Sequence, residues 1–118
     1  MNREVKIYNR TKGVTLFEKG KILSSFFERA KGLIGKKELR EEEAFVFFSC
    51  NWIHTLFMSI PIGIIYVSKD FKVVKILSAV PPNRILAPVF RASITIECKS
   101  SLPEKLPLEI GDFLEIIL

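Results

Sequence analysis

Four residues able to do chemistry stand within nine positions, in the stretch "CNWIHTLFMSIPIG" (50–63): Cys50, Trp52, His54 and Met58. They include one of two cysteines, the only tryptophan, the only histidine and one of two methionines. Such a set offers a soft-ligand metal site, a Cys/His nucleophile pair, or apolar core holding one polar residue. Cys50, His54 and Met58 fall at i, i+4 and i+8, which is same-side on both a helix and a strand. Distance separates the readings. On a strand, four residues span about 13 Å, against the roughly 4 Å between donors that share one ion. On a helix they are about 6 Å apart, but the outer pair is then about 12 Å apart. Neither geometry lets all three hold one metal. Trp52, Ile53, Thr55 and Phe57 favour strand, and Pro61 favours extended chain before it. Zinc needs three or four donors and the chain offers one His and two Cys, so no metal and no cofactor is expected.

The same arithmetic separates Cys50 from His54 as a catalytic pair. Cys98, on another segment, could meet His54 only through folding, and Asn51, Asp112 or Glu97 could then orient the base. An enzyme using His54 with Cys98 or Cys50 therefore stands as an alternative, with no catalytic residue singled out. A lone His between Ile53 and Thr55 also suits a core or rim position, its nitrogens bonded to backbone. Trp52, His54, Phe57 and Met58 in extended chain can line a groove for a peptide, a sugar or a small apolar ligand, or fill a core. "GLIGKK" (32–37) lacks the phosphate-loop pattern, with Ala30 where Gly is required and Lys37 where Ser or Thr is.

Elements must position these residues. "EVKIY" (4–8) and "VTLFE" (14–18) read as a hairpin turning at Gly13. In "KILSSFFERAKGLIGKK", Phe26, Phe27, Ala30, Leu33 and Ile34 recur at helical spacing. This predicts one main helix near residues 25–34, capped by Ser24 or Ser25 and stopped at Gly35. "ELREEE" then links on as a helical turn. "AFVFF", "PIGIIYV" (61–67), "KVVKILSAV" (72–80), "ASITIEC" (92–98) and "LEIGDFLEIIL" read as strands, with 61–67 central because both its faces are apolar. In 92–98 the alternation places Ile94, Ile96 and Cys98 inward and Ser93, Thr95 and Glu97 outward. The expectation is an α+β, mostly β fold: one domain over 1–118, a small barrel-like or sandwich-like antiparallel β unit.

At 118 residues, 48% hydrophobic and 26% charged, the composition is globular and excludes wholesale disorder. No apolar run approaches a membrane span and the first residues do not form a signal peptide, so a cytoplasmic protein with reduced thiols is expected. The chain has no glutamine and is rich in Lys, Glu, Ile and Phe, a balance that hints at a thermophilic source. The net charge of +5 is uneven: residues 1–40 carry eleven Lys/Arg against four Glu. Nucleic-acid binding through that basic first third is the other alternative. The charges alternate with apolar residues there, which is the pattern of solvated faces.

The order of short motifs resembles one family. "RAKGLIGKKEL", then an acidic link, "IHTLFMSIPI", a hairpin and "IECKSSLPEKLPLEIGD" are together similar to the domain of unknown function 192 family, also called uncharacterised protein family 0127. The similarity runs from about Arg29 to Leu118. It implies a compact, largely β fold with a helix near the N-terminus, and no activity. It also places a site near residues 53–62, shared with Arg29 and Glu97, although Arg29 by itself reads first as the i,i+3 neighbour on a solvated helix. The pattern departs at Gly63, where the family usually carries Asp, at Asp70-Phe71, where it turns on Asp-Gly, and at Ser101, where it has Gly. A type I′ turn at 70–71 would force Phe71 into the left-handed region. The expected function is an accessory domain binding an unknown small ligand or protein partner in a groove that includes Trp52, His54, Met58, Arg29 and Glu97.

Overall fold

A computed structural model of the protein describes residues 3–23, 33 and 35–118. Seven strands form one sheet: β1 (Arg3–Asn9), β2 (Val14–Ile22), β3 (Glu43–Phe48), β4 (Ile62–Val67), β5 (Val73–Val80), β6 (Ile94–Lys99) and β7 (Leu114–Ile117). Their spatial order is β5-β4-β6-β3-β2-β1-β7. The helix expected near 25–34, and with it Arg29, lies outside the described residues. Among the described residues the only helical element is a 3-10 turn, η1 (Leu102–Glu104). The 38–43 link makes a tight turn rather than a helical one, with the Glu43 N–H donating to the Arg40 carbonyl at 3.2 Å.

The β1–β2 hairpin turns where Gly13 adopts φ +67°, a left-handed value that glycine takes without steric cost. β2 continues four residues beyond the sequence expectation, because Lys19–Ile22 find a second partner in β3. That pairing is parallel, so the sheet is mixed rather than wholly antiparallel. β4 is central as expected: all six of its residues are buried, between β5 and β6. The β4–β5 connection is not a type I′ turn. Phe71 alone has positive φ, +69°, and its N–H donates to the Ser68 carbonyl at 2.9 Å. The left-handed strain foreseen for Phe71 is present, confined to one residue.

The sheet curls until its two edges touch. Lys72 bridges Phe113, and the Val73 N–H donates to the Asp112 carbonyl at 2.8 Å. The inner face is a core drawn from all seven strands, including Ile7, Phe17, Val46, Ile65, Val73, Ile96 and Leu114. Leu102 and Leu108, from the β6–β7 connection, fill it further.

The outer face of the β3–β6–β4 region is also buried. There Phe45, Phe47, Ile62, Ile64 and Tyr66 pack with Ile53, Met58 and Leu33. This double burial overturns the inward/outward reading of β6. Ile94, Ile96 and Cys98 do face the inner core, but Thr95 and Glu97 are fully buried too, on the other side. Glu97 pairs with Phe45 and Ile64, and Thr95 with Phe47 and Tyr66. Alternation signals two faces; it marks one as solvated only when nothing covers it.

Candidate functional site

The cover over that outer face is built from the two connections β3–β4 (49–61) and β5–β6 (81–93). They pair with each other as an irregular antiparallel ribbon. Thr55 N–H donates to the Arg84 carbonyl (2.8 Å), Leu86 N–H to Ile53 (3.2 Å) and Val89 N–H to Asn51 (2.8 Å). Thr55 pins its far end, with its hydroxyl donating to the Pro81 carbonyl at 2.7 Å and accepting from the Arg84 N–H at 2.8 Å. At the root, Thr95 donates its hydroxyl to the Cys50 carbonyl at 2.8 Å. Proline at 81, 82 and 88 keeps the segment out of the main sheet, because proline supplies no ladder donor.

The "CNWIHTLFM" stretch is extended through Thr55, as expected, and then turns, with Met58 N–H donating to the Thr55 carbonyl at 3.2 Å. Ile53 and Thr55 point into the protein and are buried. Trp52 and His54 share the opposite, outer side, ring centroids 5.7 Å apart edge to face. His54 sits directly opposite Ile85. Its Nδ1 accepts the Leu56 N–H at 3.2 Å, which places the neutral ring's proton on Nε2.

The expected site residues therefore divide. Trp52 is exposed and His54 half-buried on the ribbon's outer side, whereas Met58 and Glu97 are buried beneath it. Arg29 belongs to the undescribed segment. Tyr66, beneath the ribbon, keeps a fully buried hydroxyl with no hydrogen-bond partner among the described residues. Burial, and then the nearby Glu97 and Cys50 charges, push that phenol up to about 12.

Cys98 and His54 lie on opposite sides of the sheet, Cys98 in the inner core and His54 on the outer ribbon, so the two do not form a catalytic pair. Burial, followed by the Glu97 charge, pushes the Cys98 thiol up to about 12, which makes it a poor nucleophile. Cys50 directs its Sγ to the Trp52 carbonyl, 3.4 Å away. Four extended residues, about 13 Å, separate it from His54. Among the described residues no group of three or more His, Cys, Asp or Glu is placed to hold a metal.

Phe57, named with the groove set, is 75% exposed, and two residues that the sequence reading missed, Ile85 (66%) and Phe90 (87%), join it and Trp52 (45%) as large apolar side chains in water. Phe57 has φ +66°, and its N–H donates to the Asn83 Oδ1 at 3.2 Å; Asn83 is itself left-handed, at +61°. Arg84 and Arg91 are exposed along the same strand of the ribbon. A signal for this surface was available in the composition. Segments 49–61 and 81–93 contain no Asp, Glu or Lys, in a chain that has 13 acids.

A curled seven-stranded sheet with a proline-bounded ribbon over one outer face is thus the class of protein defined here. The family model DUF192, described as an uncharacterized ACR family, matches residues 8–116, and the chain belongs to that family. It is 34% identical over 112 residues to the UPF0127 protein PH1112 of Pyrococcus horikoshii, covering 90% of this chain and 94% of that one. Two crystal structures share the fold. A protein of unknown function from Novosphingobium aromaticivorans superposes with a TM-score of 0.79 at 24% identity, over 97% of this chain and 84% of that one. A Sinorhizobium meliloti chain, whose name proposes a transcription regulator, has a TM-score of 0.79 at 14% identity, over 98% and 94%. Both likenesses speak for the fold alone. No helix among the described residues is long and apolar enough to cross a membrane.

Proposed function

We propose that the protein is a cytoplasmic accessory module of one barrel-like domain, and that it binds its ligand or partner through the outer side of the ribbon. The observation that carries this reading is the acid-free ribbon on which Trp52, Phe57, Ile85 and Phe90 stand in water. Aromatic residues and arginine enriched where Lys, Asp and Glu are depleted is the composition of an interface centre, not of an ordinary solvated face. Met58, Glu97 and Thr55 support the ribbon from below. Nucleic-acid binding through the basic first third is less well supported. Lys19, Lys21 and Lys36 line a cleft there, but Glu4, Glu38 and Glu43 line it too, and those carboxylates oppose a phosphate.

The test is amide chemical-shift mapping of the full chain against a panel: small metabolites, peptides, a single-stranded oligonucleotide and lipid micelles. Shifts clustered on 51–57 and 83–91 are expected for at least one probe. Binding that maps instead to the cleft around Lys19, Lys21 and Lys36, or no shift with any probe, would overturn the proposal.

A further inference from the structure

We infer that the outer side of the ribbon docks on an anionic lipid surface, an inference that rests on the ribbon being the binding face. Four observations favour that occupant. Phe57 and Phe90 are the two most exposed aromatic rings among the described residues. They protrude, with three-quarters or more of their surface in water. Protruding rings need either matched pockets in a partner or a fluid medium that opens around them, and the headgroup–acyl boundary is such a medium. Trp52 lies between them along the ribbon with an indole N–H to leave among polar headgroups, the usual place of tryptophan at a membrane interface.

Exposed cations stand at both ends of the ribbon. Arg84 lies near the Phe57 end, where the Thr55 N–H donates to its carbonyl, and Arg91 directly follows Phe90 at the other end. Two cations flank an apolar middle with no carboxylate in either segment to repel a negative plane. Two cations are too few for tight nucleic-acid binding, which draws its strength from neutralising many phosphates. Phe57 adds a further indication. A phenylalanine in the left-handed region with its ring in water costs stability and contributes nothing to the core, and strain of that kind gathers at functional surfaces.

The test is sedimentation of the full chain with sucrose-loaded vesicles of phosphatidylglycerol and phosphatidylcholine, against vesicles of phosphatidylcholine alone. Emission from Trp52, the sole tryptophan, is read in parallel. Binding to the anionic vesicles with a shift of emission to shorter wavelength is expected, and molar salt should remove the preference for anionic lipid. Phe57→Asn combined with Phe90→Ser should weaken partitioning by about tenfold or more. Since Asn tolerates the left-handed conformation, that variant should fold at least as stably as the parent. Arg84→Gln and Arg91→Gln should each weaken anionic binding roughly fivefold.

Vesicle binding that ignores the ribbon variants but falls with Lys19→Gln and Lys21→Gln would overturn the inference. So would a dimer, formed without lipid, that the Phe57/Phe90 variant dissociates, because a second copy would then cover the face. An absence of vesicle binding alongside ribbon shifts with a peptide or oligonucleotide would sink the lipid inference and leave the ribbon as the binding face.

Discussion

Gly63 stands where the family pattern carries Asp, and whether a carboxylate is tolerated there depends on whether the position opens to a cleft. It does not. A Cβ at Gly63 would lie 2.7 Å from both Cγ and Cδ of Pro103 and 3.0 Å from the Lys99 carbonyl oxygen. The position lies on the inner face, paired with Cys98, and the η1 proline packs against the missing side chain. Gly63→Ala should therefore cost about 1–3 kcal/mol through overpacking. Gly63→Asp should cost more, because its carboxyl would be buried without an arranged partner. Pro103→Ala introduced together with Gly63→Ala should recover part of the loss, since two substitutions in contact do not add. Urea midpoints of the four proteins measure the coupling. If the two costs simply summed, Pro103 would not be the reason the position holds glycine. The Pro103 contact, forty residues away in the chain, is what no local pattern could disclose.

Elements are joined by one buried polar knot, between the β1–β2 turn and the chain entering β7. Asn9 and Asp112 are both buried. Asn9 Nδ2 donates to Asp112 Oδ2 at 2.8 Å, the Glu109 N–H donates to the same oxygen at 2.9 Å, and Lys12 Nζ reaches it at 2.9 Å. Burial alone would raise the Asp112 carboxyl. The hydrogen bonds from Lys12, Asn9 and the Glu109 N–H, with the Lys12 charge, outweigh that and hold it below the usual carboxylate range. A native value below the unfolded one means that the stabilisation is complete above the unfolded pKa of about 3.9 and is lost as pH falls through the lower native value. Asp112→Asn should cost about 2–3 kcal/mol at pH 6, by leaving donors without their charged acceptor. The difference in stability between parent and variant should then shrink as pH falls below about 4. Urea unfolding of both proteins from pH 6 to pH 2 follows that difference. A gap that stayed constant across the range would mean that the knot contributes shape and no charge. The "IGD" triplet marked this place as a turn before a closing strand, and it is one. The same triplet gave no sign that its carboxylate reaches a hundred residues back to Lys12.

For the whole molecule, the strands were legible because alternation and β-branched runs are local, whereas their order was not. The parallel β2–β3 pair, the meeting of β5 with the start of β7, and the ribbon over the outer face all depend on contacts between distant segments. That is why Glu97 looked solvated and is buried, and why Trp52 and His54 were found but Ile85 and Phe90 were not. The two cysteines report on this layered arrangement. Cys98 is sealed in the inner core, its thiol pushed up to about 12, so an alkylating reagent meets it only when the curled sheet opens as a whole. Cys50 is half-buried at the root of the ribbon, held by hydrogen bonds to Ser93 and Thr95, and is reached by the smaller event of lifting that root. In native buffer, iodoacetamide should label Cys50 well before Cys98. Added urea should accelerate Cys98 labelling with the denaturant dependence of global unfolding, while Cys50 labelling rises less steeply. Labelling of the Cys50→Ser and Cys98→Ser proteins, followed by mass spectrometry across 0 to 3 M urea, separates the two rates. Equal rates in native buffer would show that the seam between β5 and β7 opens as readily as the ribbon lifts. The inner core would then not be the more stable of the two layers.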